Sequence, residues 1–279
     1  MKIFDCFMYF DEDLLLDLRL NYLDKFIDKF IIIECSYNHK GEEKKPHFNI
    51  EKYKKFKKKI EYIFLKEQPE DVEQIKIDDK ESEINVKYIL NAVKRENFQR
   101  NYISKSFQKI QDNDFVMISD IDEIPNLRKF KYNEKLKYTV FCQKNFSYKF
   151  NLINKTFPIW HGTKGCKKKH LKTPQWLRNQ KIKKKVFLNF FNIKWNVINN
   201  GGWHFSYLMS PNQIREKIMS FGHAEFNNEK FIDISNIEEK VSKNLDLFER
   251  EQFYEKVDFD NSFPLIIHQD RKNLSKWII

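Results

Sequence analysis

One stretch of the sequence constrains the fold more than any other: residues 114–125 read DFVMISDIDEIP. Four consecutive apolar residues are typical of a strand that is buried on both faces, as in a parallel sheet. Because strand side chains alternate, Asp120 and Asp122 are predicted to point the same way at the strand's carboxyl end, where open α/β sheets bind ligands. Two converging carboxylates repel each other unless a cation lies between them, and oxygen ligands suit Mg²⁺ or Mn²⁺. The stretch therefore predicts a metal-dependent nucleotide enzyme.

The composition permits one large α/β domain. Of 279 residues, 41% are hydrophobic and 16% are aromatic, which is enough for a sizeable core. Cys6, Cys35, Cys142 and Cys166 form no C-x-x-C pair, so we expect reduced core cysteines. The sequence shows no signal-peptide pattern and no apolar run near the roughly 20 residues needed to span a bilayer. We therefore expect a cytoplasmic location, with contact to the inner membrane face left open.

The chain is basic: 51 Lys and Arg against 40 Asp and Glu give 51 − 40 = +11. Part of the excess lies in residues 164–172 and 181–185. Three interpretations compete: a solvated lysine-rich face, attraction to an anionic membrane or acidic glycan, and nucleic-acid binding. We expect no nucleic-acid partner, because the basic runs contain no recognised DNA- or RNA-reading motif.

The hydrophobic pattern predicts the order β-α-β-β-α-β before the aspartates. Apolar runs predict strands at residues 2–7, 30–34 and 60–65, and helical spacing predicts helices at 14–26 and about 84–110. The first two strands end next to acidic residues, Asp11, Glu12 and Glu34. No G-x-G-x-x-G and no Walker loop is present, so a dinucleotide fold and a P-loop are disfavoured. Later elements are strands near 139–143 and 185–191, a loop at 199–203, and helices from about 211.

A second motif, at residues 199–207, reads NNGGWHFSY. Gly201 and Gly202 permit close backbone approach or a positive φ angle. Trp203 offers an indole that can stack on a sugar, and His204 an imidazole that can bind a metal. The alternative is a tight turn with a core tryptophan and a hydrogen-bonded histidine.

Two further sites are weaker. His223 and Glu225 form an H-x-E pattern that suits a metal ligand and a general base, although such a pattern is more often found on a surface helix. Arg100 lies on the helix before the aspartate strand and can reach a diphosphate, because a guanidinium matches phosphate oxygens. The alternative for Arg100 is an ion pair with Glu96 at i, i+4.

Taken together, these motifs resemble glycosyltransferase family 17, best known from the bisecting β-1,4-N-acetylglucosaminyltransferases. The resemblance spans roughly residues 1 to 230. It rests on residues 2–7, 10–12, 17–20, 30–34, 99–102, 118–125, 201–207 and 220–223. It implies a single GT-A domain of the α/β class, Rossmann-like around a mixed, mostly parallel sheet. Within it we expect a nucleotide-sugar half at about 1–125, an acceptor and metal half at about 126–230, and a helical tail at about 231–279.

The resemblance also implies chemistry. The expected donor is a UDP-sugar, with N-acetylglucosamine as the expected sugar, and the expected metal is Mn²⁺ or Mg²⁺. Asp122 would bind the metal directly, and Asp120 would contact the ribose or a metal-bound water. His204 or His223 would complete the metal site. Asp11, Glu12 and Glu34 would lie near the nucleoside.

The expected reaction is a single displacement with inversion, in which Glu225 takes the acceptor proton, Arg100 assists the diphosphate and Trp203 stacks on a sugar beside Gly201 and Gly202. Animal members of the family have a membrane anchor and work in a secretory compartment. Because we expect neither feature here, the expected acceptor is a surface glycan or a lipid-linked saccharide. Two rivals remain: a phosphohydrolase with Asp120 as nucleophile, and a non-catalytic basic module.

Overall fold

The computed structural model describes residues 1–182, 193–220 and 229–279. The strands are β1 (Ile3–Met8), β2 (Lys29–Cys35), β3 (Ile60–Leu65), β4 (Phe115–Ser119), β5 (Glu123–Pro125), β6 (Tyr138–Ser147), β7 (Leu152–Asn154), β8 (Ile159–Lys167), β9 (Trp195–Ile198), β10 (Gly202–Ser206) and β11 (Tyr254–Lys256). The α-helices are α1 (Asp13–Leu23), α2 (Glu81–Tyr102), α3 (Pro174–Asn179), α4 (Pro211–Ser220), α5 (Glu229–Ile232), α6 (Ile234–Ser242) and α7 (Leu265–Gln269).

The strands form one mixed sheet with the order β11-β7-β6-β8-β4-β1-β2-β3, and β5, β9 and β10 pair beside β6. From β3 through β2 and β1 to β4, every pairing is parallel. β8 then pairs antiparallel with both β4 and β6. The expected α/β class with a large central mixed sheet is confirmed.

The parallel strands are buried on both faces, and their side chains alternate between two hydrophobic clusters. On β4, Phe115 and Met117 face the cluster that contains α1, whereas Val116 and Ile118 face the cluster that contains Ile103 and the 3-10 turn after α2. Such alternation explains why uninterrupted apolar runs were needed to form these strands.

A buried ion pair connects this core to the end of β4. Arg19 on α1 forms a bidentate pair with Asp5 of β1, at 2.6 and 2.8 Å, and both side chains are fully buried. The same guanidinium donates to the backbone carbonyl oxygens of Asp120, Ile121 and Glu123, at 3.2, 3.3 and 2.6 Å. Arg19 therefore fixes the turn between β4 and β5.

Most predicted elements before residue 140 are confirmed. The long helix ends at Tyr102 and continues as a 3-10 segment, Ile103–Lys109, and a helix begins at Pro211 as expected. All four cysteines are free and buried. The predicted strand at 185–191 lies outside the described residues. The expected helical tail contains α6 and α7 and also the short strand β11, which pairs with β7. Within the described ranges, every helix is too short or too polar to cross a bilayer.

Candidate active site

A pocket of about 180 Å³ opens at the carboxyl ends of β1, β2 and β4. Its lining includes Asp120 and Asp122 together with side chains from the loops after β1 and β2. The lining residues are Met8, Tyr9, Phe10, Glu12, Cys35, Tyr37, Asn38, His39, Lys44, Glu96, Gln99, Arg100, Asp120, Ile121, Asp122, His204, Lys217 and Ser220. The expectation that the two aspartates meet a ligand-sized space at this sheet edge is therefore supported by geometry.

Asp120 is held by two arginines. Its Oδ1 accepts from Arg100 Nη2 at 3.0 Å and its Oδ2 from Arg178 Nη2 at 2.5 Å. Burial by itself raises the pKa of Asp120, but the guanidiniums of Arg178 and Arg100 outweigh burial and hold the pKa well below its usual range. Asp120 is therefore a fixed anion; each of its oxygens accepts from one guanidinium, and its side chain remains 35% exposed.

Glu123 completes this charge cluster. Its carboxylate is fully buried and accepts from Arg178 at 2.6 and 3.1 Å, from the Trp160 indole N–H at 2.6 Å, and from the backbone N–H of Asp120 at 3.2 Å. Burial raises the pKa of Glu123 above its ordinary value, although Arg178 opposes the shift. Glu123 thus positions both Arg178 and the turn that presents Asp120.

Asp122 has a different environment, opposite an imidazole. His204 Nε2 lies 3.6 Å from Asp122 Oδ2. The other ring nitrogen, Nδ1, is 2.9 Å from Asn145 Oδ1, and Asn145 Nδ2 donates to the Phe157 carbonyl at 2.9 Å. Because that bond orients the amide, Asn145 Oδ1 can only accept, and Nδ1 must have the proton. Nε2 then faces Asp122, as a lone-pair donor in the neutral imidazole and as an N–H donor to the carboxylate in the imidazolium.

A lysine lies on the other side of Asp122. Lys217 Nζ on α4 is 4.0 Å from Asp122 Oδ2 and 3.8 Å from Glu12 Oε1. Burial raises the pKa of Asp122, but His204 and Lys217 outweigh it, so the pKa lies below its ordinary value. Burial lowers the pKa of Lys217, but Asp122 and Glu12 outweigh it, so the pKa is raised. Both groups are therefore charged near neutral pH.

The side chains of Asp122 and His204 fit a divalent cation. Neighbouring ligand atoms of an octahedral ion with bonds of roughly 2.1 Å lie about 3.0 Å apart, so the observed 3.6 Å would have to shorten by about 0.6 Å when the ion binds. A metal-binding histidine normally donates its second N–H to an oxygen, as His204 does to Asn145. Within the described ranges there is no cluster of three or more His, Cys, Asp or Glu side chains that could hold a metal. The described residues would therefore supply two ligands, Asp122 and His204, with substrate oxygens and water among the others.

The predicted nucleoside-side residues have several different roles. Glu12 lines the pocket, and its Oε2 accepts from the backbone N–H groups of Phe10 and Asp11 at 3.1 and 3.2 Å. Burial, followed by the charge of Glu12, raises the pKa of Asp11 to about 6. The expectation that Glu34 lies near the nucleoside stays a prediction. Its buried carboxylate accepts from Lys44, Tyr62 and two backbone N–H groups, so it anchors the loop after β2.

Two roles were predicted for Arg100, a diphosphate contact and an ion pair with Glu96, and the structure contains the ion pair. Arg100 pairs with Glu96 at 2.8 Å, as the helix-surface alternative required, and it also binds Asp120 and Gln175. It lines the pocket, yet it is only 2% exposed. Its Nε has no hydrogen-bond partner within the described part of the chain. Arg100 therefore orients Asp120, and a direct diphosphate contact remains a prediction.

The glycine–tryptophan motif is structural, and its predicted contact with substrate was wrong. A Cβ on Gly201 would lie 2.5 Å from the Ile198 carbonyl oxygen, and one on Gly202 would lie 2.1 Å from that of Ile124. Both glycines therefore permit close approach of neighbouring strands. Trp203 is 4% exposed and packs edge-on against Tyr22 in the core. On β10 it points away from His204, because adjacent strand side chains alternate.

His223 and Glu225 lie outside the described residues, so the choice of His204 over His223 rests on the geometry of His204 alone. Part of the first basic run is not a solvated face. Lys164 and Lys167 belong to β8, where Lys164 donates to the Arg178 carbonyl oxygen at 2.5 Å and Lys167 pairs with Glu134 at 2.9 Å. These two lysines are therefore engaged within the protein.

Sequence reasoning missed four contributors: Asn145, Trp160, Arg178 and Lys217. They come from β6, β8, α3 and α4, which are remote from the aspartates in the chain. None forms a local motif with its neighbours. The sequence indicated them only indirectly. Three acidic residues within 120–123, directly after a buried strand, need cationic partners from other parts of the chain.

Comparison with known proteins gives one match. A family model described as glycosyltransferase family 17 matches residues 1–263, which extends beyond the segment that the sequence motifs covered. No curated protein matches the chain.

Proposed function

The chain belongs to glycosyltransferase family 17, and on that premise we propose that it is a metal-dependent, inverting enzyme of the GT-A fold that uses a UDP-sugar. N-acetylglucosamine is the proposed sugar, and a glycan or lipid-linked saccharide the proposed acceptor. The GT-A assignment is supported by the parallel order β3-β2-β1-β4, with the aspartates directly after β4. Peripheral contact with an anionic membrane stays part of the proposal.

The observation that carries this proposal is the pairing of Asp122 with His204 beside the pocket. Asp122 Oδ2 and His204 Nε2 lie 3.6 Å apart, and with the imidazole neutral a cation between them would bind a lone pair of each. Mn²⁺ or Mg²⁺ is held in this way together with substrate phosphates. When bound, the ion supplies positive charge that neutralises the departing diphosphate.

The protein's own cations contribute to the same charge balance. Lys217, positioned between Asp122 and Glu12, extends the positive potential toward the diphosphate. Asp120, fixed by Arg100 and Arg178, is proposed to accept a hydrogen bond from a ribose hydroxyl. Tyr9, Phe10 and Tyr37 line the pocket and offer aromatic surface to the nucleoside.

The proposed reaction is a single displacement. The acceptor oxygen attacks the anomeric carbon from the face opposite the diphosphate, its bond to that carbon forms as the bond to UDP breaks, and its proton passes to a carboxylate. Glu225 remains the proposed base. We expect Glu225→Gln to bind UDP normally and to lose transfer; near-normal transfer would reject Glu225 as the base.

The phosphohydrolase alternative gains no support. A nucleophilic Asp120 needs an electron-rich oxygen, whereas each of its oxygens accepts from a guanidinium, which lowers its nucleophilicity. The alternative of a non-catalytic basic module is likewise disfavoured, because the family is one of glycosyltransferases.

The test is calorimetry with UDP-, GDP- and dTDP-sugars, with and without Mn²⁺. Wild-type protein is compared with Asp122→Asn and with Asp112→Asn, a control at an exposed aspartate that pairs only with Lys168 on the surface. We expect Mn²⁺-dependent binding of uridine nucleotides alone, lost in Asp122→Asn and kept in Asp112→Asn. Absence of binding to every nucleotide by folded wild-type protein would contradict the proposal.

A further inference from the structure

The amino end of β8 exposes apolar side chains beside the pocket. Trp160 is 38% exposed and Ile159 48%, while the strand is buried from Gly162 onward. Phe157, just before the strand, is also exposed. An exposed indole next to a candidate active site is a candidate ligand contact, whereas a single one on a remote surface needs no functional explanation.

Trp160 is held in one orientation. Its Nε1–H donates to the buried Glu123 at 2.6 Å, which is a short bond to a charged acceptor. Its ring stacks on the imidazole of His204, with centroids 4.7 Å apart and planes 14° from parallel. Because both contacts fix the indole before any ligand arrives, a ligand would lose little affinity to side-chain ordering.

The position of Trp160 distinguishes it from the nucleotide pocket. His204 belongs to the lining of that pocket, and Trp160 is one ring further out. His204 also faces Asp122, the proposed metal ligand. A group resting on Trp160 would therefore lie beside the reaction centre without displacing the nucleotide.

We propose that Trp160 is the platform on which the sugar ring of the acceptor saccharide stacks. An indole has a flat apolar face that suits the C–H face of a pyranose. The assignment of this saccharide as the acceptor rests on the proposed function. Ile159 and Phe157 extend the apolar surface for a second sugar or for the aglycone.

A purely supporting role for Trp160 would have other consequences. If the indole only held His204 in place, its replacement would weaken metal and UDP binding and leave saccharide binding unaltered. The platform role has a different signature, because saccharide binding is lost even when UDP and Mn²⁺ saturate the protein. A residue-specific signal can separate the two.

The experiment is ¹⁹F NMR on protein labelled with 5-fluorotryptophan. The five tryptophans give one signal each, and Trp160→Phe identifies that of Trp160. UDP and Mn²⁺ are added first, then cellobiose or N,N′-diacetylchitobiose as neutral saccharide probes. We expect a saturable shift of the Trp160 signal with at least one probe, while Trp176, Trp195, Trp203 and Trp277 serve as internal controls.

Trp160→Ala provides the second measurement, by calorimetry with the same probes. We expect saccharide binding to weaken by about 10-fold or more at UDP and Mn²⁺ concentrations that saturate the variant, so that any loss of UDP affinity through His204 or Glu123 is measured separately. Two results would overturn the platform: no response of Trp160 to either probe in the UDP-bound protein, or unaltered saccharide binding by the UDP-saturated Trp160→Ala variant. If wild-type protein binds no UDP at all, the proposed function fails first, and the acceptor assignment fails with it.

Discussion

Asp120 and Asp122 lie two residues apart on one turn, yet they have opposite surroundings. Asp120, together with Glu123, is surrounded by Arg100 and Arg178, so each of its oxygens has a guanidinium partner. Among the described residues, Asp122 faces His204 and, more distantly, Lys217. The motif therefore combines two carboxylates with different partners: one is fixed by guanidiniums, and the other lies opposite an imidazole with which it can share a cation.

The difference has an energetic side. Buried charges are stable only when they are paired. If one partner is removed, the other charge stays buried and its desolvation is no longer compensated. Substitutions around Asp120 should therefore act mainly on stability, and substitutions around Asp122 mainly on ligand binding and catalysis. The predictions below test that division.

The largest effect is expected for Asp122→Asn. The amide keeps the size of the side chain and removes the charge that holds the cation, so transfer should fall on the order of 10³-fold or more. Unfolding by urea should change little. Transfer of sugar from UDP-N-acetylglucosamine, measured as UDP release, checks this against Asp112→Asn. Equal losses in the two variants would contradict the division.

Arg178→Met should act on stability. It leaves Glu123 and Asp120 without a shared cation, and we expect the free energy of unfolding to fall by about 3–5 kcal/mol. Lys243→Met is the control, because Lys243 and its partner Glu239 are 62% and 58% exposed, so the loss should be below about 1 kcal/mol. Similar urea midpoints for the two variants would show that the cluster contributes no special stability.

Asn145→Ala tests the orientation of His204. Without the acceptor at Nδ1, the imidazole can rotate and change tautomer, so Mn²⁺ affinity should fall by about 10–100-fold while the fold is kept. Asn196→Ala, at an amide that donates to the Lys131 carbonyl oxygen on the surface, should leave Mn²⁺ affinity unaltered. Calorimetric titration of Mn²⁺ in the presence of UDP measures both.

The smallest effect concerns pH. The pKa of Asp11 is raised from 3.8 to about 6, so between those values the folded protein binds a proton that the unfolded chain releases. Stability from this group is therefore lost as the pH rises from about 3.8 to 6. Asp11→Asn should be more stable than wild type at pH 7, by less than about 1 kcal/mol after solvent screening.

The two proteins should have the same stability below pH 3.8, where both the folded and the unfolded wild type bind the proton. Asp120 and Asp122, whose pKa values are lowered, have the opposite sign, because their contribution is lost as the pH falls. A stability gain for Asp11→Asn that is equal at all pH values would reject this explanation.

The parallel half of the molecule could be predicted from sequence. Strands buried on both faces need uninterrupted apolar runs, and β1, β2 and β4 have them. The same logic located Asp120 and Asp122 at a ligand-binding edge. Wherever an element depends on local periodicity, the neighbouring residues in the sequence were therefore enough to predict it.

The rest of the site depends on contacts between distant segments. Nothing near Arg178 or Lys217 in the chain indicates that they approach the aspartates. The motif around Trp203 predicted the presence of an aromatic ring but not its direction, because alternation on β10 leaves open which face is the core. Trp203 packs against Tyr22 in the core, and the exposed indole that stacks on His204 is that of Trp160 on β8.

The most direct test of the division between the two aspartates is Mn²⁺ binding in the presence of UDP, measured by electron paramagnetic resonance as loss of the free-ion signal. The account predicts one bound Mn²⁺ per chain in wild type and in folded Asp120→Asn, and none in Asp122→Asn or His204→Ala. Mn²⁺ binding that survives in Asp122→Asn and is lost in Asp120→Asn would contradict it.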